Sequence, residues 1–159
     1  MYINISKNSL EINNRKLRVN QLMDKVIEVV AAVIVYQGKI LAFRRGESKY
    51  DYVSFKYEFP GGKVEQDEPL DIAIQRELFE ELNLQASVQD LVATIEHKYP
   101  DFAIKMHCFL AHIDNYDGTL RDHVESALVK LDDADNLDWI DADRPILDIL
   151  RKSYQNVFV

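Results

Sequence analysis

Gly61-Gly62-Lys63-Val64-Glu65-Gln66-Asp67-Glu68-Pro69-Leu70-Asp71-Ile72-Ala73-Ile74-Gln75-Arg76-Glu77-Leu78-Phe79-Glu80-Glu81-Leu82-Asn83-Leu84 is the stretch whose reading decides the fold. Two glycines mark a turn. Pro69 suits the first position of a helix, because its φ is already helical and its missing N–H has no partner there. No glycine or proline interrupts Leu70 to Leu82, so the spacing predicts a helix over that run. On such a helix Leu70, Ile74 and Leu78 form an apolar stripe. Glu77, Glu80 and Glu81, at i, i+3 and i+4, share the neighbouring face. Three like charges on one face repel unless something positive lies between them. Hard carboxylate oxygens grouped this way suit Mg²⁺ or Mn²⁺. On these residues alone, a solvated acidic helix face is the alternative.

The flanking residues extend the pattern. Gly62, five residues, Glu68, seven residues, then Arg76-Glu77-Leu78-Phe79-Glu80-Glu81-Leu82-Asn83-Leu84 resembles the Nudix box of the Nudix hydrolases. One position departs from the family pattern: Asn83 stands where the family has glycine. It ends the helix, and asparagine is the next most tolerant residue for a left-handed cap. Tyr57-Glu58-Phe59-Pro60, just before the glycines, resembles the Glu-Phe-Pro-Gly-Gly segment of the MutT-like branch.

The resemblance implies roles for particular residues. Glu77, Glu80 and Glu81 would be metal ligands together with the carbonyl of Gly61, and Glu68 would reach the same cluster or order it. Arg76 would pair with a box carboxylate and fix its orientation. The cofactor implied is Mg²⁺, with Mn²⁺ as the alternative. Phe59 would line a base pocket, and Arg45, at a strand end, would contact substrate. Asp143, just before the last helix, would hydrogen-bond the base edge, although it suits the N-cap of that helix equally well. Lys63 is a phosphate contact or an exposed loop lysine. In MutT-like relatives a glutamate from the loop after the long strand joins the metal site. Asp122 and Glu125 are the candidates here, and Glu125 is taken as the general base.

Composition bounds the rest. A chain of 159 residues, 47% hydrophobic, supports one folded domain with a real core. The formal charge of −8 argues against a nucleic-acid polymer as partner, because phosphate contacts need surplus Lys and Arg. It leaves room for a single nucleotide whose charge a metal meets. Cys108 is the only cysteine, so an internal disulfide is excluded and a reducing, cytoplasmic setting is expected. No apolar run matches a membrane span. The chain is expected to be a monomer or homodimer with a nucleotide substrate.

Along the chain, residues 1–26 read as an N-terminal extension, with a short hairpin suggested by Leu10, Ile12, Leu17 and Val19 around Asn13-Asn14. Residues 27–159 read as the Nudix hydrolase domain. Val29 to Tyr36 and Lys39 to Arg45 predict strands joined at Gln37-Gly38, with further strands in Ala86–Lys98, Phe102–Ile113 and Leu120–Val129. A final helix is predicted from Pro145 to Tyr154, with Ile146, Leu147, Ile149 and Leu150 facing inward. Strands on both sides of a central helix, closed by a second helix, give an α/β class, and the resemblance makes it a Nudix fold, a mixed sheet sandwiched between helices in α/β/α layers.

The leading expectation is a Mg²⁺-dependent nucleoside triphosphate diphosphohydrolase that releases a nucleoside monophosphate and pyrophosphate. Its substrate would be an oxidised purine nucleotide such as 8-oxo-dGTP, or CTP and its deoxy or modified forms. A second reading keeps the chemistry and changes the substrate to ADP-ribose or a dinucleotide polyphosphate. A third, a non-catalytic nucleotide-sensing module, is disfavoured because all four box glutamates are present.

Overall fold

The computed structural model describes residues 25–159, together with Glu11, Ile12, Asn14 and Arg15. Those four residues are helical, not a hairpin. The remainder of the expected hairpin, Leu10, Leu17 and Val19 included, lies outside the described residues.

Among the described residues, seven strands form one mixed sheet. They are β1 (Val26–Tyr36), β2 (Lys39–Arg45), β3 (Tyr57–Glu58), β4 (Gly61–Lys63), β5 (Ser87–Lys98), β6 (Ala103–His112) and β7 (His123–Val129). The long strands run β2-β1-β6-β5, with β1 and β6 parallel from Val26↔Ala103 to Val35↔His112. β1 and β6 are buried on both faces, which explains their near-continuous apolar sequence. The β1–β2 hairpin turns at Gln37 and Gly38, both with positive φ (52° and 69°), as two-residue hairpins require. Ser87–Lys98 is a single strand with bulges between Val88 and Ala93.

One irregularity shapes the function. β1 and β2 pair only near their turn, at Ile34↔Leu41 to Tyr36↔Lys39. Beyond it they splay, and the segment 57–63 wedges into the gap. Its first half, β3, pairs with β2 at Phe43 and Arg44, and its second half, β4, pairs with β1 at Val29 to Ala31. Pro60 bridges the halves by accepting a hydrogen bond from the Ala32 N–H at 2.9 Å. A side chain at position 61 would run into the Val30 carbonyl, so only glycine lets the wedge pass this close to β1. The sheet is thus split at one end, and the split is where the cavity forms.

Two helices cover the two faces. On one, α1 (Leu70–Leu82) buries Ala73, Ile74, Leu78 and Leu82 against Val30, Ala32, Ile34, Leu41 and Phe43. Each large apolar side chain so buried stabilises by roughly 2 kcal/mol. On the other, α2 (Arg144–Ser153) buries Ile146, Leu147 and Leu150 with Trp139, Met106, Cys108 and Leu110, while Ile149 is only half-buried. This is the α/β/α arrangement expected. Pro69 stands one position earlier than predicted: its ψ of 143° places it at the N-cap, with its carbonyl accepting from the Ala73 N–H at 2.9 Å. Asn83 ends α1 in the left-handed region, at φ 53° and ψ 34°, and the Asn83 and Leu84 N–H groups close on the Phe79 and Leu78 carbonyls at 3.0 and 3.2 Å. Among the described residues no helix is long and apolar enough to cross a membrane.

Candidate active site

Arg76 is the centre of the acidic face of α1. Its Nε and Nη2 donate to the two Glu68 oxygens at 2.7 and 2.9 Å. Its Nη1 donates to Glu77 Oε1 at 2.8 Å and to Glu80 Oε2 at 3.2 Å, and Nη2 also reaches the Lys63 carbonyl at 3.0 Å. The bidentate hold of Arg76, helped by the Glu65 N–H, draws the Glu68 carboxyl down to about 2. Both Glu68 oxygens are thereby engaged. Glu68, expected either to reach the metal cluster or to order it, is bound to Arg76 through both oxygens. Gly62 permits the Glu77 carboxylate to lie against the loop, since a side chain there would overlap it. Part of the positive charge that this face demands is therefore Arg76. Among the described residues, no three His, Cys, Asp or Glu side chains already stand as a metal-holding group.

Glu81 is different. It turns into a cavity of about 430 Å³ at the split in the sheet, where its neighbours are Glu58, Asp122, Arg45, Gly61 and Gly62. Its Oε2 is buried with no hydrogen-bond partner. Burial, and then the charges of Glu58, Glu77 and Asp122, push its carboxyl up to about 8, with Arg45 opposing. A buried oxygen without a partner, pressed by three other carboxylates, is a donor set short of one positive charge. Its hard oxygens fit a divalent cation of the Mg²⁺ type.

Arg45 and Glu58 are locked together. Arg45 Nη1 donates to Glu58 Oε2 at 2.9 Å, and the other Glu58 oxygen lies 2.9 Å from His123 Nε2. Arg45 Nε and His123 Nδ1 remain buried without partners. Lys63 stands exposed at the cavity rim.

The far end of the cavity is apolar, walled by Ile27, Val29, Ile104, Met106, Tyr99 and Phe59. Phe59 packs on Trp139 with ring centroids 4.7 Å apart. Asp143 lies at this end, 1% exposed. It occupies the N-cap position of α2 but makes no side-chain cap bond. Its Oδ2 instead accepts from the Phe59 N–H at 2.7 Å, and its Oδ1 is left without a partner. Burial and the Glu58 charge raise the Asp143 carboxyl well above the usual carboxylate range, against the pull of the Phe59 N–H and Arg45. Tyr99 accepts from the Ala142 N–H at 3.1 Å and braces the same wall.

The cavity therefore gathers Arg45, Phe59, Gly61, Lys63, Glu81 and Asp143. Glu125, expected as general base, does not line it. Its carboxylate accepts from Arg44 Nη1 at 3.2 Å and from the Tyr57 hydroxyl at 2.9 Å, on the opposite face. The cause is a bulge: Arg44 pairs with Glu125 but Arg45 pairs with His123, so the extra residue Val124 turns His123 inward and Glu125 outward. Asp122, the other candidate, is the one that reaches the cavity. Glu58, His123 and Tyr99 were not singled out for the site. The β3 strand that carries Glu58 is two residues long, too short to show alternation.

Residues 26–150 match the NUDIX domain. The chain is 39% identical over 126 residues to the CTP pyrophosphohydrolase of Escherichia coli (strain K12), covering 78% of this chain and 90% of that relative. It is 32% identical over 89 residues to the 8-oxo-dGTP diphosphatase of Proteus vulgaris, covering 56% and 80%. Among solved structures, the E. coli ORF135 protein superposes with a TM-score of 0.66 at 35% identity, covering 80% of this chain and 90% of that one. The MutT protein from Methanosarcina mazei Go1 reaches 0.74 at 22% identity, covering 83% and 98%, a likeness of fold. The chain belongs to the Nudix family. It is a hydrolase of that family, of the MutT-like kind.

Proposed function

We propose that this hydrolase converts a nucleoside triphosphate and water to the nucleoside monophosphate and pyrophosphate with Mg²⁺ as cofactor, in the cytoplasm. Its substrate is CTP or a deoxy or modified form of it, or an oxidised purine nucleotide such as 8-oxo-dGTP. The observation behind this reading is a single cavity with an acidic end and an apolar end, each holding a buried carboxylate oxygen without a partner. The names of the two relatives point to the same substrates.

The residues divide the work along the cavity. Phe59, Ile104 and Met106 offer a flat apolar slot for a base. Asp143 Oδ1 is the polar contact within it. Ionised, it accepts from an exocyclic amino group; protonated, it donates to a ring nitrogen or carbonyl. Arg45 and Lys63 meet the phosphate chain, with Glu58 holding Arg45 in place. Glu81, Glu77, Glu80 and the Gly61 carbonyl are the donors for Mg²⁺, and Arg76 with Glu68 orients Glu77 and Glu80. Bound there, Mg²⁺ supplies charge neutralisation and alignment for attack on phosphorus. Asp122, which lines the same cavity as Glu81, joins this donor set, and a carboxylate of the set would take the proton of the attacking water.

The test is turnover of a panel of normal and oxidised nucleoside triphosphates with Mg²⁺, with products identified. Monophosphate and pyrophosphate in equal amounts are expected. Absence of pyrophosphate from every triphosphate would remove this reading.

A further inference from the structure

The C-terminal end of α1 is electrostatically awkward. A helix C-terminus carries partial negative charge and favours cations, yet the last turn holds Glu80 and Glu81 and no basic residue. The compensating cation comes from elsewhere in the chain. Arg121 Nη1 donates to the Phe79 and Glu80 carbonyls at 3.0 and 2.7 Å, and the Arg121 backbone N–H donates to the Glu81 carbonyl at 3.1 Å. Three consecutive carbonyls of the helix are thus held by one residue. A looser tie, Asn83 Nδ2 to Asp117 Oδ2 at 3.4 Å, joins the same two segments further from the site.

What Arg121 holds matters because of its neighbours. Asp122, the next residue, lines the cavity, and His123 after it contacts Glu58 at 2.9 Å. Glu81, whose carbonyl Arg121 binds, lines the cavity from the other side. Glu81 and Asp122 come from elements 41 positions apart in sequence, and the short contacts of Arg121 tie the two directly. Two like charges facing one another separate unless their backbones are fixed.

We propose that Arg121 is a positioning residue for the acidic end of the cavity: by clamping the last carbonyls of α1 to the segment that delivers Asp122, it sets the spacing between Glu81 and Asp122 at which the two can share a divalent cation. Arg121 itself touches no substrate. The proposal rests on the metal-dependent reading above.

Mn²⁺ titrated into the nucleotide-free protein, with free Mn²⁺ read by electron paramagnetic resonance, tests it without turnover. Arg121→Ala is expected to weaken Mn²⁺ binding about tenfold, the lower range for losing a residue that orients ligands. At saturating metal the nucleotide KM should stay within about twofold of wild type, and Arg121→Lys should recover part of the metal affinity. If Arg121→Ala lowers Tm and leaves Mn²⁺ affinity unchanged, Arg121 is a helix cap only and the proposal fails. Where Arg121→Ala does not fold, Arg121→Met keeps the bulk and removes every side-chain donor, and unchanged Mn²⁺ affinity there overturns the proposal equally. A wild-type protein that binds no Mn²⁺ at millimolar concentration removes the metal-dependent reading and this inference together, an outcome distinct from failure of the variants alone.

Discussion

The two acidic regions flanking α1 hold similar residues in opposite states. Around Arg76, Glu68, Glu77 and Glu80 are hydrogen-bonded, and Glu68 is held strongly acidic. Around Glu81, carboxylates from three elements converge, and burial keeps the Glu81 proton on until about pH 8. The first region is complete within the protein. The second leaves a buried carboxylate oxygen without a partner, a cost that folding alone gives no reason to keep. Hydrogen-bond satisfaction, not the number of acidic residues, separates the two regions.

The sharpest way to break this comparison is Glu81→Gln. Turnover should fall about 10³-fold, as for loss of a charge-stabilising group at a reacting centre. Stability should move the other way. The folded Glu81 carboxyl titrates near 8 instead of 4.5, so the folded state binds the proton more tightly than the unfolded chain. Without metal, wild type is then most stable, as far as this group goes, below about pH 4.5 and loses stability as pH rises toward 8. The variant lacks that slope, so its Tm advantage should grow across this window. Added Mg²⁺ should raise the wild-type Tm more than the variant's. A variant less stable than wild type at pH 8 would contradict the assignment.

Arg76→Ala probes the satisfied region. It leaves three carboxylates facing one another and should lower kcat 10- to 100-fold, roughly, through lost ligand orientation, with a clear drop in Tm. Steady-state kinetics and a thermal melt measure both.

Asp143→Asn should raise KM about tenfold for the preferred base and reduce discrimination between bases, with kcat nearly unchanged. The amide oxygen still accepts from Phe59 N–H, so the fold should hold. Because the Asp143 carboxyl is raised, its contribution to wild-type stability diminishes as pH climbs out of the ordinary carboxylate range, and the variant should lack that dependence. Melts at several pH values check it.

Glu125→Gln should change least. Its carboxylate is half-exposed against Arg44, so activity should stay within about threefold and stability within about 0.5 kcal/mol of wild type. A large loss of kcat would return Glu125 to the site.

Most of the layer order was legible in the sequence because it rests on periodicity. The stripe on α1, the strand run from Val29 to Tyr36 and the Gln37-Gly38 turn each follow from local geometry. The Asn83 cap followed from one residue's tolerance for positive φ. The site was legible where residues are contiguous, as in Arg76 to Glu81. It was obscure where three-dimensional register decides. The bulge at Val124 reversed the facing of Glu125 and His123, and nothing in Asp122-His123-Val124-Glu125 announces it. Glu58 gains its meaning from being wedged between Arg45 and His123, partners 13 and 65 positions away. For Glu68, spacing left reaching the cluster and ordering it both open, and it does not reveal that Arg76 binds both its oxygens.

The wedge at 57–63 has a consequence for how this enzyme could be re-engineered. Phe59, beside Asp143, and Gly61 with Gly62, beside Glu77, are separated by one proline. Any shift of that short ribbon moves Phe59 and the two glycines together, and with them much of the cavity lining. The loop 46–56, by contrast, enters the cavity wall through Gly46, Glu47 and Val53 and carries none of the residues assigned above to base, phosphate or cation. Loop grafts there are the route to a different substrate outline with the hydrolytic apparatus left untouched.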